Sequence, residues 1–308
     1  VRMRILVMGA GALGGYFGAR LQAAGHDVTY VARGAHLAAL RADGLRLESP
    51  RGDLHLPEVR AVEDPAAAPE PDIVLFTVKN YDLEAAARAL APVLPAHAMV
   101  VTCQNGVSAP DRLAAVIGAQ PVVPGVARIP GEVPEPGVIR HTGVLDVLSF
   151  AETDGRLSER VAAFRDALAE AGTRPTVPEN ILHDLWLKFV SQSVLASMTA
   201  LTRLDMGPLR RDPAARQLFF DAMQETSAVG RAVVPDLPGD IVDTAWSWVE
   251  QLPDTMHASM LDDLLRGKPL ENDWLSGDVV RIGREAGVPT PIHAVFHAAL
   301  APFAAGAP

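Results

Sequence analysis

Short apolar runs and amphipathic stretches alternate through the first half of the chain. Residues 4–8, 27–31, 73–78 and 99–102 are rich in branched apolar side chains, which predicts short buried strands. Between them, residues 13–24 and 83–94 carry helical spacing, and residues 36–42 a shorter version of it. Strand–helix–strand order of this kind predicts a largely parallel sheet with helices on both faces. From residue 122 the texture changes to short strands punctuated by Gly and Pro, at 122–127, 138–141 and 145–149, expected to extend or cap the sheet. A helix over 158–171 closes at Gly172, a Pro-rich connector follows at 173–178, and Asn180 is placed to cap the next helix. Beyond it the pattern is helical throughout, at 181–200, 213–233, 241–252, 274–286 and 291–304. The expected fold class is α/β: a Rossmann-type dinucleotide-binding domain over 1–178, then an all-α domain over 179–308.

Composition narrows the functions open to such a chain. Its 308 residues suit two domains. The formal charge of −10 is wrong for a nucleic-acid binder. The lone Cys103 forms no intramolecular disulfide and no CxxC site, so a reducing, cytoplasmic setting is expected. Arg2 and Arg4 ahead of an apolar run imitate a signal peptide, but the run breaks at once into Gly9-Ala10-Gly11 and reads as a strand. No apolar stretch of about 20 residues is present to span a membrane.

Gly9-Ala10-Gly11-Ala12-Leu13-Gly14 spells GxGxxG straight after a strand and at the opening of a helix. In that context the glycines give a tight turn, close approach to a pyrophosphate, and close packing of helix on sheet. The helix N-terminus then offers free N–H groups to phosphate. NAD-binding folds usually end the next strand with an acid for the ribose hydroxyl; here that strand runs into Arg33, while Asp27 lies at its other end. An arginine with no acidic neighbour suits a 2′-phosphate, so NADP(H) is the expected cofactor and flavin the weaker reading.

Lys188 interrupts the nearly apolar helical stretch Leu185-Trp186-Leu187-Lys188-Phe189-Val190. Its plain alternative is a surface pair with Asp184 at i,i+4. A lysine half-buried at a cleft, however, can act as a general acid. His293 and His297 stand at helical spacing without a third ligand and read as structural, so no metal is expected. No GxSxG is present to support an esterase.

Further motifs follow in order: Thr77-Val78-Lys79, Gln104-Asn105-Gly106-Val107, Leu185-Trp186-Leu187-Lys188, Ser259-Met260-Leu261-Asp262-Asp263, and Arg266-Gly267-Lys268-Pro269-Leu270-Glu271-Asn272-Asp273. With the glycine loop they make the chain resemble the ketopantoate reductase (2-dehydropantoate 2-reductase) family over essentially its whole length. The resemblance implies an NADP-dependent oxidoreductase of pantothenate biosynthesis. It implies that Lys188 protonates the keto oxygen, that Glu271 positions substrate and lysine across the cleft, and that Asn105 lies near the nicotinamide and the lysine. Ser259 then binds the substrate carboxylate region, while Lys79 and Arg33 serve the adenosine-phosphate side. The chain also departs from the family. Asparagines common one and two turns after the lysine and just before the serine motif are here Gln192, Ala196 and Met256. Leu270, Asn272 and Ser276 replace the usual Thr, Ile and Asn. The catalytic residues are retained while the polar lining is thinned, with Gln192 kept as a substrate contact. That implies a 2-oxo acid substrate, ketopantoate handled less well than is typical, and a more apolar analogue preferred. The rival readings are a dehydrogenase of another hydroxy acid or opine-like substrate, and a non-catalytic NADPH sensor. A homodimer is left open.

Overall fold

The computed structural model describes residues 2–307, which divide into two compact units. One holds the chain up to Gln104 together with Ala109–Ile181; the other holds Asn105–Ser108 together with the chain from Leu182 onward. The first unit opens with β1 (Arg4–Met8), α1 (Ala12–Ala23), β2 (Asp27–Val31), α2 (Gly34–Asp43), β3 (Leu45–Glu48), β4 (Leu54–Leu56) and β5 (Arg60–Val62). It continues through β6 (Ile73–Phe76), α3 (Leu83–Leu90), β7 (Met99–Thr102), α4 (Ala109–Ile117), β8 (Val122–Val123) and β9 (Gly125–Arg128). Then come β10 (Gly131–Glu135), β11 (Val138–His141), β12 (Val147–Phe150), α5 (Glu159–Glu170) and β13 (Arg174–Thr176).

Six strands form an all-parallel sheet in the order β5-β2-β1-β6-β7-β8. Every residue of β6 and β7 is buried, as expected of strands covered on both faces. Chain order reverses between β1 and β6, and in such sheets ligands bind outside the carboxyl ends of the strands at that point. The glycine loop leaves β1 there, and Thr77-Val78-Lys79 leaves β6 there.

Of the later strands expected to extend or cap the sheet, β8 extends it, while β9 to β13 pair elsewhere. Pro124 has no N–H to give the ladder, so β8 stops after two residues and the chain turns away. The segment that follows, β9, pairs antiparallel with β12, which pairs parallel with β13. Strand β13 lies inside the expected Pro-rich connector; its Pro175 is tolerated because β13 is an edge strand. A third sheet, β10-β11-β3-β4, uses the alternating Leu45-Arg46-Leu47-Glu48, whose leucines are buried.

The second unit is built from α6 (Ile181–Thr202), α7 (Met206–Arg211), α8 (Pro213–Val233), α9 (Ile241–Glu250), α10 (Ser259–Leu265), α11 (Ser276–Ala286) and α12 (Pro291–Leu300). No strand occurs among its described residues. From Phe189 to Ala200, α6 is buried at every position except Gln192, so it is the central helix and can be apolar nearly all round. No helix among the described residues is long and apolar enough to cross a membrane.

A buried polar chain ties these helices together. Ser197 Oγ and Ser276 Oγ lie 2.7 Å apart, Ser276 Oγ is 3.0 Å from His293 Nδ1, and His293 Nε2 is 2.8 Å from Thr226 Oγ1 and 3.0 Å from the Ala222 carbonyl. A carbonyl can only accept, so Nε2 carries the proton and Nδ1 accepts from Ser276. Burial pushes the His293 imidazole down from 6.5 to about 4, against the small upward pull of the Ala222 carbonyl. The folded state therefore keeps His293 neutral, whereas the unfolded chain protonates near pH 6.5. The contribution is complete above pH 6.5 and is lost as pH falls toward 4, by a total on the order of 3 kcal/mol. Replacing His293 with Asn should thus lower Tm at neutral pH and flatten the acid decline. If Tm falls with pH as steeply in the variant as in the parent, His293 is not the group being titrated.

Candidate active site

In the first unit the loop from Gly9 to Gly14 is built by close backbone approach. A Cβ on Gly14 would stand 2.3 Å from the Gly9 carbonyl oxygen and 2.4 Å from Thr77 Oγ1, so only glycine fits. Thr77 donates its hydroxyl to that same Gly9 carbonyl at 2.7 Å, fastening the loop to the end of β6. The Ala10 N–H continues the β1–β2 ladder by donating to the Val31 carbonyl at 3.0 Å. His36 Nε2 lies 2.8 Å from the Ala10 carbonyl, and burial lowers the His36 pKa, so a neutral imidazole supports the loop. Gln104, at the end of β7, donates its amide to the Phe76 and Val78 carbonyls at 2.9 and 3.0 Å. It braces the segment that leads to Lys79. No role for Gln104 was expected, although it heads the motif Gln104-Asn105-Gly106-Val107 and is a polar residue shortly after an apolar strand.

These features fit a dinucleotide. Gly11 stands in the capping position of α1 and gives it no side-chain cap, and no acid lies in the first turn, leaving the leading N–H groups and dipole for phosphate. Gly11 is exposed, with open space where a Cβ would point. Ala12 and Leu13 begin the helix, both half-buried. Arg33 follows β2 and leads into α2, with a side chain 67% exposed. It is not free of acid, contrary to the sequence expectation: Asp82, from the turn after β6, pairs with it at 2.9 Å. Sequence separation of 49 residues hid that neighbour. Lys79 is half-buried and opens the turn that carries Asp82.

The second unit holds the other cluster. Asn105 belongs to it although it follows β7 directly, and Lys188 Nζ donates to Asn105 Oδ1 at 3.0 Å. The lysine is half-buried, between buried Trp186 and Phe189. Gly106 is at φ +95°, and a Cβ there would come within 2.5 Å of the Trp274 carbonyl oxygen. One turn beyond Lys188 on α6, Gln192 Oε1 is buried and accepts no hydrogen bond from the protein, so it is an acceptor available to a donor. Ala196, one turn further, is buried in the apolar cluster, and Met256 packs against the same cluster. Ser259 is the exposed first residue of α10, with Ala258 in the capping position ahead of it. Glu271 is buried, 5% exposed, just before the single helical turn Asn272–Trp274.

His293 and His297 are both committed within the fold, His297 Nε2 lying 2.8 Å from Asp273 Oδ1. Among the described residues no group of three His, Cys, Asp or Glu is arranged to hold a metal.

Comparison with known proteins finds a match over most of the chain. The family model for ketopantoate reductase PanE/ApbA matches residues 5–155, and the model for its C-terminal part matches residues 180–304. A 2-dehydropantoate 2-reductase of Mesorhizobium japonicum is 34% identical over 310 residues, 94% of each chain. The solved PanE/ApbA family ketopantoate reductase of Ralstonia eutropha JMP134 has a TM-score of 0.90 at 35% identity, covering 98% of both chains. A D-mandelate dehydrogenase solved with NADH and anilino(oxo)acetate shares the fold, with a TM-score of 0.89 at 19% identity over 98% of each chain.

Proposed function

The chain belongs to the ketopantoate reductase family and is an oxidoreductase, and on that premise we propose that it reduces a 2-oxo acid with NADPH, 2-dehydropantoate being the first candidate. One observation carries the reading: the hydrogen bond at 3.0 Å from Lys188 to Asn105 within the helical unit. The hydrogen bond to a neutral amide fixes the aim of the Lys188 amine, and a general acid must be positioned within reach of the atom it protonates. When bound, NADPH supplies the hydride to the keto carbon. Lys188 gives its proton to the keto oxygen, completing the hydroxyl. Glu271 positions substrate and lysine, the Ser259 hydroxyl binds the substrate carboxylate, and Gln192 Oε1 accepts from a substrate donor. The loop Gly9–Gly14 and Lys79 hold the nucleotide. NADPH oxidation followed with a panel of 2-oxo acids tests this; no turnover with any member would leave the NADPH-sensor reading standing.

The shared fold does not select the nucleotide, since the D-mandelate dehydrogenase of the same fold was solved with NADH. The choice of NADPH rests on Arg33 taking the 2′-phosphate. The guanidinium is exposed and already paired with Asp82, so its advantage is discounted to roughly 1 kcal/mol, about fivefold in affinity. Fluorescence titration should show NADPH bound more tightly than NADH, with Arg33→Ala closing the gap. Equal affinities in the parent would remove the NADPH preference.

A second reading is favoured by Ala196 and Met256. Neither can bond a substrate hydroxyl, and both pack in the apolar cluster. That favours a 2-oxo acid with an apolar side chain over the hydroxylated ketopantoate.

A further inference from the structure

Residues 105–108 are a four-residue outlier: the chain on both sides of them belongs to the first unit, yet they pack with the second. Each is fastened there differently. Asn105 Oδ1 accepts from Lys188 Nζ at 3.0 Å. Gly106 lies against the Trp274 carbonyl too closely for any Cβ. Val107 packs against the apolar cluster of the helical unit. Ser108 donates its hydroxyl to Asp278 Oδ2 at 2.5 Å, across 170 residues of sequence.

Asp278 is an unusual residue to find there. It is 3% exposed in the first turn of α11, and a buried carboxylate costs free energy unless it is paired and hydrogen-bonded. Its other oxygen, Oδ1, accepts from Arg281 Nε and a terminal guanidinium nitrogen at 3.1 and 2.7 Å, and Arg281 in turn reaches Glu285. The helix N-terminus adds to its stabilisation. Paired with Arg281 on one oxygen, Asp278 offers the other to Ser108, and this short hydrogen bond ties the far end of the segment to α11.

We propose that Ser108 and Asp278 are positioning residues, a latch that holds the 105–108 segment on α11 so that Asn105 stays in register with the Lys188 ammonium. The proposal rests on the reading of Lys188 as proton donor. The segment has only four residues, and the tether at its far end limits how far Asn105 can drift. A misplacement of about 1 Å at a reacting group costs up to about a hundredfold in rate. Neither Ser108 nor Asp278 is assigned to substrate or nucleotide.

The test has a kinetic arm and a spectroscopic one. The chain has three lysines, Lys79, Lys188 and Lys268, so protein carrying ¹³C-labelled lysine gives three side-chain signals, with Lys188 identified by its loss in Lys188→Ala. In Ser108→Ala the Lys188 signal should move while those of Lys79 and Lys268 hold. In the same variant kcat should fall by about tenfold or more, with KM little changed. Ser108→Thr, which keeps the hydroxyl, should restore both, and Asp278→Asn should repeat the loss. An unmoved Lys188 signal with parental kcat in Ser108→Ala overturns the latch, whether or not Asp278→Asn folds. A moved Lys188 signal together with full turnover in Lys188→Ala keeps the latch and sinks the proton-donor reading instead.

Discussion

Replacing Lys188 with alanine is expected to lower kcat by ~10²–10⁴-fold, the usual contribution of general acid catalysis, while nucleotide affinity stays at the parental level. The separation follows from where the groups lie. The glycine loop, Arg33 and Lys79 belong to the first unit, whereas Lys188 and its Asn105 partner belong to the second. Lys188→Arg sharpens the result, because a guanidinium retains the charge but is a far poorer proton donor. A variant that restores charge without restoring turnover assigns the loss to proton transfer. Near-parental kcat in Lys188→Ala would instead leave Lys188 a structural partner of Asn105 and remove the proton-donor role. Steady-state kinetics and fluorescence titration on the same preparations supply both numbers.

The parallel sheet was legible because β1, β2 and β7 are short runs rich in branched apolar residues, and their ends match the pattern to the residue. Strands β3 and β4 were not, being three or four residues long and paired with distant or equally short partners. The parallel pairing of β3 with β11 joins segments about ninety residues apart, which no local periodicity encodes. Pro175 disguised β13 as linker, although proline is tolerated at a sheet edge. In the helical unit the long helices α6 and α8 were read from their apolar spacing, but α7 and α10, at six and seven residues, are too short to show it. The site divides in the same way. Lys188 stands out within its own helix, whereas Asp82 beside Arg33 and Asp278 beside Ser108 are visible only after folding.

Replacing ketopantoate with 2-oxoisovalerate, which lacks only the hydroxymethyl group, should leave kcat/KM equal or higher. This expectation is the reverse of what a hydroxyl-reading site gives. A site built to bond a substrate hydroxyl rejects the analogue without it by about 10⁴–10⁵-fold, because its buried polar groups are left unpaired. On the proposed reading the positions that follow Lys188 toward the substrate are Gln192 and Ala196, at intervals of four that keep them on one face of α6. Ala196 is 2% exposed and Met256 packs beside the same cluster, so two of the three positions belong to apolar packing and offer no hydrogen-bond partner. Such positions lose nothing when the hydroxyl is absent, and burying the hydroxyl beside them without a partner costs roughly 1–3 kcal/mol. Gln192 opposes this, since its Oε1 is buried without a partner and a substrate hydroxyl would satisfy it. One neutral hydrogen bond contributes about 0.5–1.5 kcal/mol net, which at most offsets the lower part of the cost of placing the hydroxyl beside two apolar neighbours. The apolar analogue is therefore expected to win. Gln192→Ala resolves the competition: if ketopantoate is strongly preferred by the parent and that preference collapses in the variant, Gln192 alone reads the hydroxyl and the thinned pocket is not selective for apolar acids.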